Sequence, residues 1–150
     1  MKTFFYRRNE AVAKKYFLVL LISTILFFLT GCSENRLVEL KIVASDWNGS
    51  YHPYEPEEEE GIYKLKVGDK VKPRSGSDFE VKVLKIEEEK IVFQTSHHLC
   101  INGEKGFDMD DTRKKFDLTM EDKELELVTP TYDAGKIYRF QILSIVDDKE

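Results

Sequence analysis

Phe79–Glu87 reads FEVKVLKIE and Lys90–Ser96 reads KIVFQTS, with only Glu88-Glu89 between them. In the first run Phe79, Val81 and Val83 alternate with Glu80 and Lys82, the period of two that a strand with one buried face requires. The phase then moves to Leu84 and Ile86, which predicts a bulge or a change of face. Two such runs around a short polar turn are an antiparallel pair, and this pair sets the expectation for the whole domain.

Upstream, Leu37–Ala44 (LVELKIVA) carries Val38, Leu40 and Ile42 on one face and reads as a half-buried strand. Ser45–Gly61 (SDWNGSYHPYEPEEEEG) combines prolines, glycines, aromatics and a run of glutamates, and reads as a long loop. Ile62–Val67 is a strand, Gly68-Asp69 turns it toward Lys70–Lys72, and Pro73–Asp78 is a further turn. Downstream, His97–Lys114 reads as irregular. Lys115–Met120 and Glu124–Val128 read as a second hairpin around Glu121–Lys123, and Thr129–Gly135 as a turn. Lys136–Val146 (KIYRFQILSIV) is a long last strand with Tyr138, Phe140 and Ile142 on one face. Its second half is apolar on both faces, which predicts a central position. Roughly seven or eight strands, with turns about every eight to twelve residues and no useful helical period, predict an all-β fold. The expected architecture is a small antiparallel β-sandwich or barrel, following a cleaved N-terminal signal helix.

That signal reading rests on the first 32 residues. Met1–Lys15 is basic, carrying Lys2, Arg7, Arg8, Lys14 and Lys15 against Glu10 alone. Tyr16–Leu29 (YFLVLLISTILFFL) is uncharged. As a helix it would span about 21 Å, short of the ~30 Å hydrocarbon core of a bilayer. A basic flank, a short apolar run and a small residue at its end mark an export signal. Leu29-Thr30-Gly31-Cys32 resembles the lipobox of bacterial lipoproteins. The resemblance implies cleavage before Cys32 and a diacylglyceryl group on its thiol. The expected organisation is a signal peptide over 1–31, a lipid-anchored tether over 32–36 and one all-β domain over 37–150. Two acyl chains anchor durably without a transmembrane helix, since each buried methylene contributes ~0.8 kcal/mol. The implied location is the cell membrane, facing outside the cytoplasm. The phrases VGDKV (67–71), VLKIEEEKIVF (83–93) and TPTYDAGKIYRFQI (129–142) are similar to those of small lipoproteins without an assigned activity, from single-membrane bacteria with low-GC genomes. That similarity brings no site residues with it.

Removing residues 1–31 takes away five of the 23 basic residues and one of the 28 acidic ones. The remainder holds 18 basic against 27 acidic side chains, a net of −9. Such a balance argues against nucleic acid, which requires a basic face, and against adsorption to anionic head groups. With Cys32 acylated, Cys100 is the only other cysteine, and a buried, inert thiol is the expectation.

No nucleophile elbow, phosphate loop or metalloprotease helix motif is present. A Cys100–His97 or Cys100–His98 dyad lacks an orienting third group, so no catalytic residue and no enzymatic activity are expected. His97, His98 and Cys100 offer soft ligands for zinc or copper, but successive strand residues point to opposite faces. Asp108, Asp110 and Asp111 offer oxygen ligands for calcium, yet the stretch lacks the EF-hand pattern and its neighbours Arg113, Lys114 and Lys115 can pair with these acids. No metal site and no cofactor are assigned. Trp47, Tyr51 and Tyr54, with His52 and Glu57–Glu60 nearby, form the candidate ligand-binding set, because aromatic faces stack on sugar rings or seat a partner segment. The competing reading is that Trp47 caps the core and the glutamates form a solvated tip.

The expected function is therefore a membrane-anchored surface lipoprotein with a non-enzymatic binding or accessory domain. Its partners would be the membrane, through Cys32, and a protein or cell-wall polymer. A calcium-, zinc- or copper-binding lipoprotein and an extracellular protease inhibitor are the alternatives.

Overall fold

The structure is a computed structural model and describes residues 36–48, 57–74 and 77–148. The signal segment, Cys32, His52, Tyr51 and Tyr54 lie outside these residues. The chain divides between Ser33 and Glu34, and every described residue belongs to the second unit. Eight strands run in the order β1 (Arg36–Asn48), β2 (Glu58–Leu65), β3 (Lys70–Val71), β4 (Val81–Ile86), β5 (Lys90–Ile101), β6 (Arg113–Thr119), β7 (Leu125–Val128) and β8 (Ala134–Asp147). All pairings are antiparallel. The fold is all-β: hydrogen bonding links the strands in the order β2-β1-β8-β7-β5-β4-β3, with β6 added to β5, a sheet curled nearly into a barrel. Among the described residues no helix is long and apolar enough to cross a membrane.

The hairpin that opened the reading is β4 and β5. Val81 and Val83 point inward and are fully buried; the register then shifts between Val83 and Lys85, and Ile86 returns to the core. This is the bulge that the phase change predicted. Phe93 on β5 sits at the centre of the core, with ring centroids 4.8 Å from Phe140 on β8 and 5.7 Å from Phe116 on β6. Each such side chain contributes about 1.5–3 kcal/mol by leaving water. Phe79 stacks on Tyr138 at 3.9 Å and closes the core at the other end of β8. Between β2 and β3 the predicted turn forms at Gly68, with φ of 94°, and the Asp69 carboxylate accepts the Lys66 N–H at 2.8 Å.

Four expectations are corrected. The loop expected over Ser45–Gly61 is strand at both ends. β1 runs on to Asn48, and Glu58, Glu59 and Glu60 pair with Ser45, Ala44 and Val43. Glu60 is held by Lys41 at 2.8 Å and Glu58 by Arg139, while the glutamate run stays exposed to solvent. The segment from His97 is not irregular at its start: β5 continues to Ile101. It does so by bowing outward between Gln94 and Leu99, where the Thr95 hydroxyl donates to the His97 carbonyl at 2.8 Å. Through this bend β5 leaves β6 and pairs with β7. The strands β6 and β7 accordingly do not form a hairpin with each other; each pairs with a different part of β5. Finally, the second half of β8 is apolar on both faces because it is bulged. Opposite the Glu39/Leu40 step Leu143 is extra, Ile145 turns back against the core, and Leu143 and Val146 stay exposed. β8 is central, between β1 and β7, but β7 reaches only as far as Phe140.

Candidate functional site: the Trp47 recess

The end of β1 and the start of β8 lie side by side, with Asp46 opposite Lys136, Trp47 opposite Gly135 and Asn48 opposite Ala134. These six residues line an open recess of about 450 Å³. The pairing of β1 with β2 ends at Ser45, and from Asp46 to Asn48 the backbone that carries Trp47 is held by β8.

Trp47 is half-buried, and its ring meets Phe107 edge-on at 6.1 Å with an interplanar angle of 65°. Its indole Nε1 is buried and has no hydrogen-bond partner among the described residues. It lies directly over Gly135. A Cβ at that position would fall 2.6 Å from Trp47 Nε1, 2.1 Å from Thr129 Oγ1 and 2.6 Å from Thr131 Oγ1. Glycine is required by space, because no side chain fits under the indole. Both hydroxyls are already engaged by the turn. Thr129 Oγ1 accepts the Lys136 N–H at 2.9 Å, and Thr131 Oγ1 donates to the Ala134 carbonyl at 2.7 Å. Neither bonds the indole.

The charged groups beside the recess satisfy one another. The Asp46 carboxylate accepts from Lys136 Nζ and, at 2.8 Å, from Arg74 Nη1, and Glu57 reaches Arg74 at 4.0 Å. The Lys136 hydrogen bond, with Arg74 adding to it against the opposing effect of burial, holds the Asp46 carboxyl below the usual carboxylate range. The recess is therefore polar and locally neutralised, and the Trp47 indole that lines it has a buried N–H without an acceptor among the described residues.

The other sequence candidates are dispersed. His97 is exposed, stacks on Phe79 at 6.0 Å and faces Asp78 at 3.5 Å; His98 is exposed; Cys100 is fully buried. Burial, with Asp108 and Asp111 adding to it, pushes the Cys100 thiol up, away from the thiolate that a metal or a nucleophile requires. Asp108 Oδ1 caps the Asp110 N–H at 2.9 Å and Asp111 pairs with Arg113 at 2.6 Å. Among the described residues no group of three or more such side chains comes together to hold a metal. Trp47 is the one member of the aromatic set within the described residues, and it does line a recess. Asp46, Gly135, Lys136 and the two threonines were missed, because what joins them to Trp47 is the β1/β8 register. Set against family models, curated proteins and solved structures, the chain gives no match.

Proposed function

We propose that the chain is a membrane-anchored surface lipoprotein whose all-β domain is a non-enzymatic binding module, and that Trp47 carries the contact. The supporting observation is the unpartnered Trp47 Nε1 beside the recess. A buried donor left without an acceptor costs about 1–3 kcal/mol, and a ligand oxygen seated in the recess recovers it. Asp46 and Glu57 balance Arg74 and Lys136, so the group favours an uncharged ligand over an ion. An aromatic edge, a free N–H and no net charge suit the hydroxyl and ring oxygens of a wall glycan. The arrangement also suits display. Cys32 to Arg36 is four residue steps, at most about 14 Å. From Arg36 to Trp47 the strand extends about 35 Å. Trp47 thus lies at the far end of β1 from Arg36, the residue by which the strand follows the proposed lipid attachment in the chain.

Trp47 is the sole tryptophan of the chain, so its fluorescence reports this recess alone. Full-length chain in non-ionic detergent, titrated with solubilised glycan strands from cell wall, should show a saturable change in emission. Lys136→Met should weaken it by leaving Asp46 and Glu57 to share Arg74, so that the recess turns net acidic. A flat titration with glycan of several chain lengths rejects the carbohydrate reading.

A further inference from the structure

A second surface carries an inference that uses none of the Trp47 residues. On the outer face of β3, β4, β5 and β6 the register aligns Lys70 with Lys82, Lys82 with Gln94, and Gln94 with Lys115. Inward-facing neighbours fix these directions: Val81 and Val83 are fully buried, Phe93 likewise, and Phe116 nearly so. Three lysines thus stand in one row over four adjacent strands, about 14 Å from end to end at the usual strand spacing. Lys70 and Lys82 are directly opposite each other, an arrangement of like charges that costs stability in a sheet.

The acids around the row are already taken. Glu80 pairs with Lys70 at 2.8 Å, Glu87 with Lys85 at 2.5 Å, Asp117 with Lys90 at 3.2 Å and Asp111 with Arg113 at 2.6 Å. Among the described residues neither Lys82 nor Lys115 has an ion pair. Beside Lys82 lies a recess of about 190 Å³, lined also by Lys70, Glu80, Gln94, Thr95 and Ser96. Glu80 neutralises Lys70, and Lys82 and Lys115 keep the row positive on a chain of net charge −5.

We propose that this face docks a flexible, phosphodiester-linked polyanion, laid across the strands along Lys70, Lys82 and Lys115. The thinness of such a polymer is what allows it to bind an acidic protein. At physiological salt charges are screened beyond about 8 Å, so a single chain lying on the row meets the lysines and little of the acidic remainder. A nucleic-acid duplex presents a broad front and meets that remainder as well. Gln94 supplies a neutral donor between Lys82 and Lys115.

The test uses the full-length chain in non-ionic detergent and fluorescently labelled poly(glycerol phosphate), read by anisotropy from low to physiological salt. Lys82→Gln with Lys115→Gln should weaken binding about fivefold per lysine, about 25-fold together, and flatten the salt dependence. Lys64→Gln with Lys105→Gln changes the net charge equally at exposed sites off the row and should leave binding near the wild-type value. Lys82→Arg with Lys115→Arg should retain it. Melting temperatures check the fold, and Lys82→Gln is expected to hold or raise its own by relieving Lys70. The proposal is overturned by equal weakening from both glutamine pairs, by wild-type chain that does not bind, or by duplex DNA binding as tightly. Trp47→Phe should not affect this binding, so failure here and failure of the glycan reading are separate results.

Discussion

Gly135→Ala is the perturbation that probes the Trp47 recess most directly. The added methyl meets three polar atoms at 2.1–2.6 Å, closer than any relaxed contact. None of them yields freely. Thr129 Oγ1 is tied to the Lys136 N–H at 2.9 Å, Thr131 Oγ1 to the Ala134 carbonyl at 2.7 Å, and the indole is wedged against Phe107. Overpacking of this kind costs about 1–3 kcal/mol. If Thr129 rotates away, a hydrogen bond worth about 1 kcal/mol goes with it. Against this, alanine restricts the unfolded chain and returns about 0.4–1 kcal/mol. The net is a loss of about 2 kcal/mol, which in a domain of this size lowers the melting temperature by about 8 °C. Calorimetry reads the loss, and Trp47 emission reads its cause, because an indole pushed off Gly135 gains water and shifts to the red. The double variant Gly135→Ala, Thr129→Ala should cost less than the sum of the singles, since the methyl then occupies space that the hydroxyl vacated. Unchanged melting together with unchanged emission would refute the packing of Trp47 on Gly135 and, with it, the recess as drawn.

Other outcomes follow from the same physical terms. Palmitate supplied to growing cells should label the wild-type chain, and the mature N-terminus should be Cys32; Cys32→Ser should be neither labelled nor cut, and a labelled serine variant would dismiss the anchor. Burial pushes the Tyr138 phenol up to about 12, from 10.0. The folded form therefore keeps its proton while the unfolded form loses it, so stability is full below pH 10 and falls between pH 10 and 12, by about 3 kcal/mol. Tyr138→Phe keeps the stack on Phe79 and should flatten that fall in alkaline denaturation curves; an equally steep fall in the variant would show that the pH dependence arises elsewhere.

Most of the strands were legible because the core is written with period two. Val38, Leu40 and Ile42, then Val81 and Val83, then Tyr138, Phe140 and Ile142 alternate with polar residues, and all eight are buried. Even the β4 bulge was visible, since an extra residue leaves a phase error in the pattern. The misreadings share one cause, which is that composition stood in for pairing. Four consecutive glutamates have no strand propensity. Glu58, Glu59 and Glu60 become strand because β1 offers a hydrogen-bonding edge, with Lys41 beside Glu60 and Arg139 beside Glu58. His97 and His98 looked irregular because a bow of several residues in β5 erases the alternation that a strand is recognised by. Sequential strands β6 and β7 looked like a hairpin because neighbours in sequence usually pair, whereas a bent β5 presents an edge to each of them.

The two surfaces were unequally legible for a related reason. Trp47 could be singled out as the one tryptophan in a polar stretch, since its chemistry is carried by a single residue. What places it beside a recess is Gly135, 88 positions later and opposite it in register, and no local pattern announces that pairing. The lysine row is harder still. Lys70, Lys82 and Lys115 are each ordinary members of alternating strands, and each reads as the solvated face of its own segment. They become a row only when three registers are known together, and shifting β4 by one residue would turn Lys82 into the core and Val83 out to solvent. The burial of Val81 and Val83 thus fixes the charge pattern on the opposite face. Core and candidate surface are two consequences of one register, and a variant that slips β4 should lose both at once.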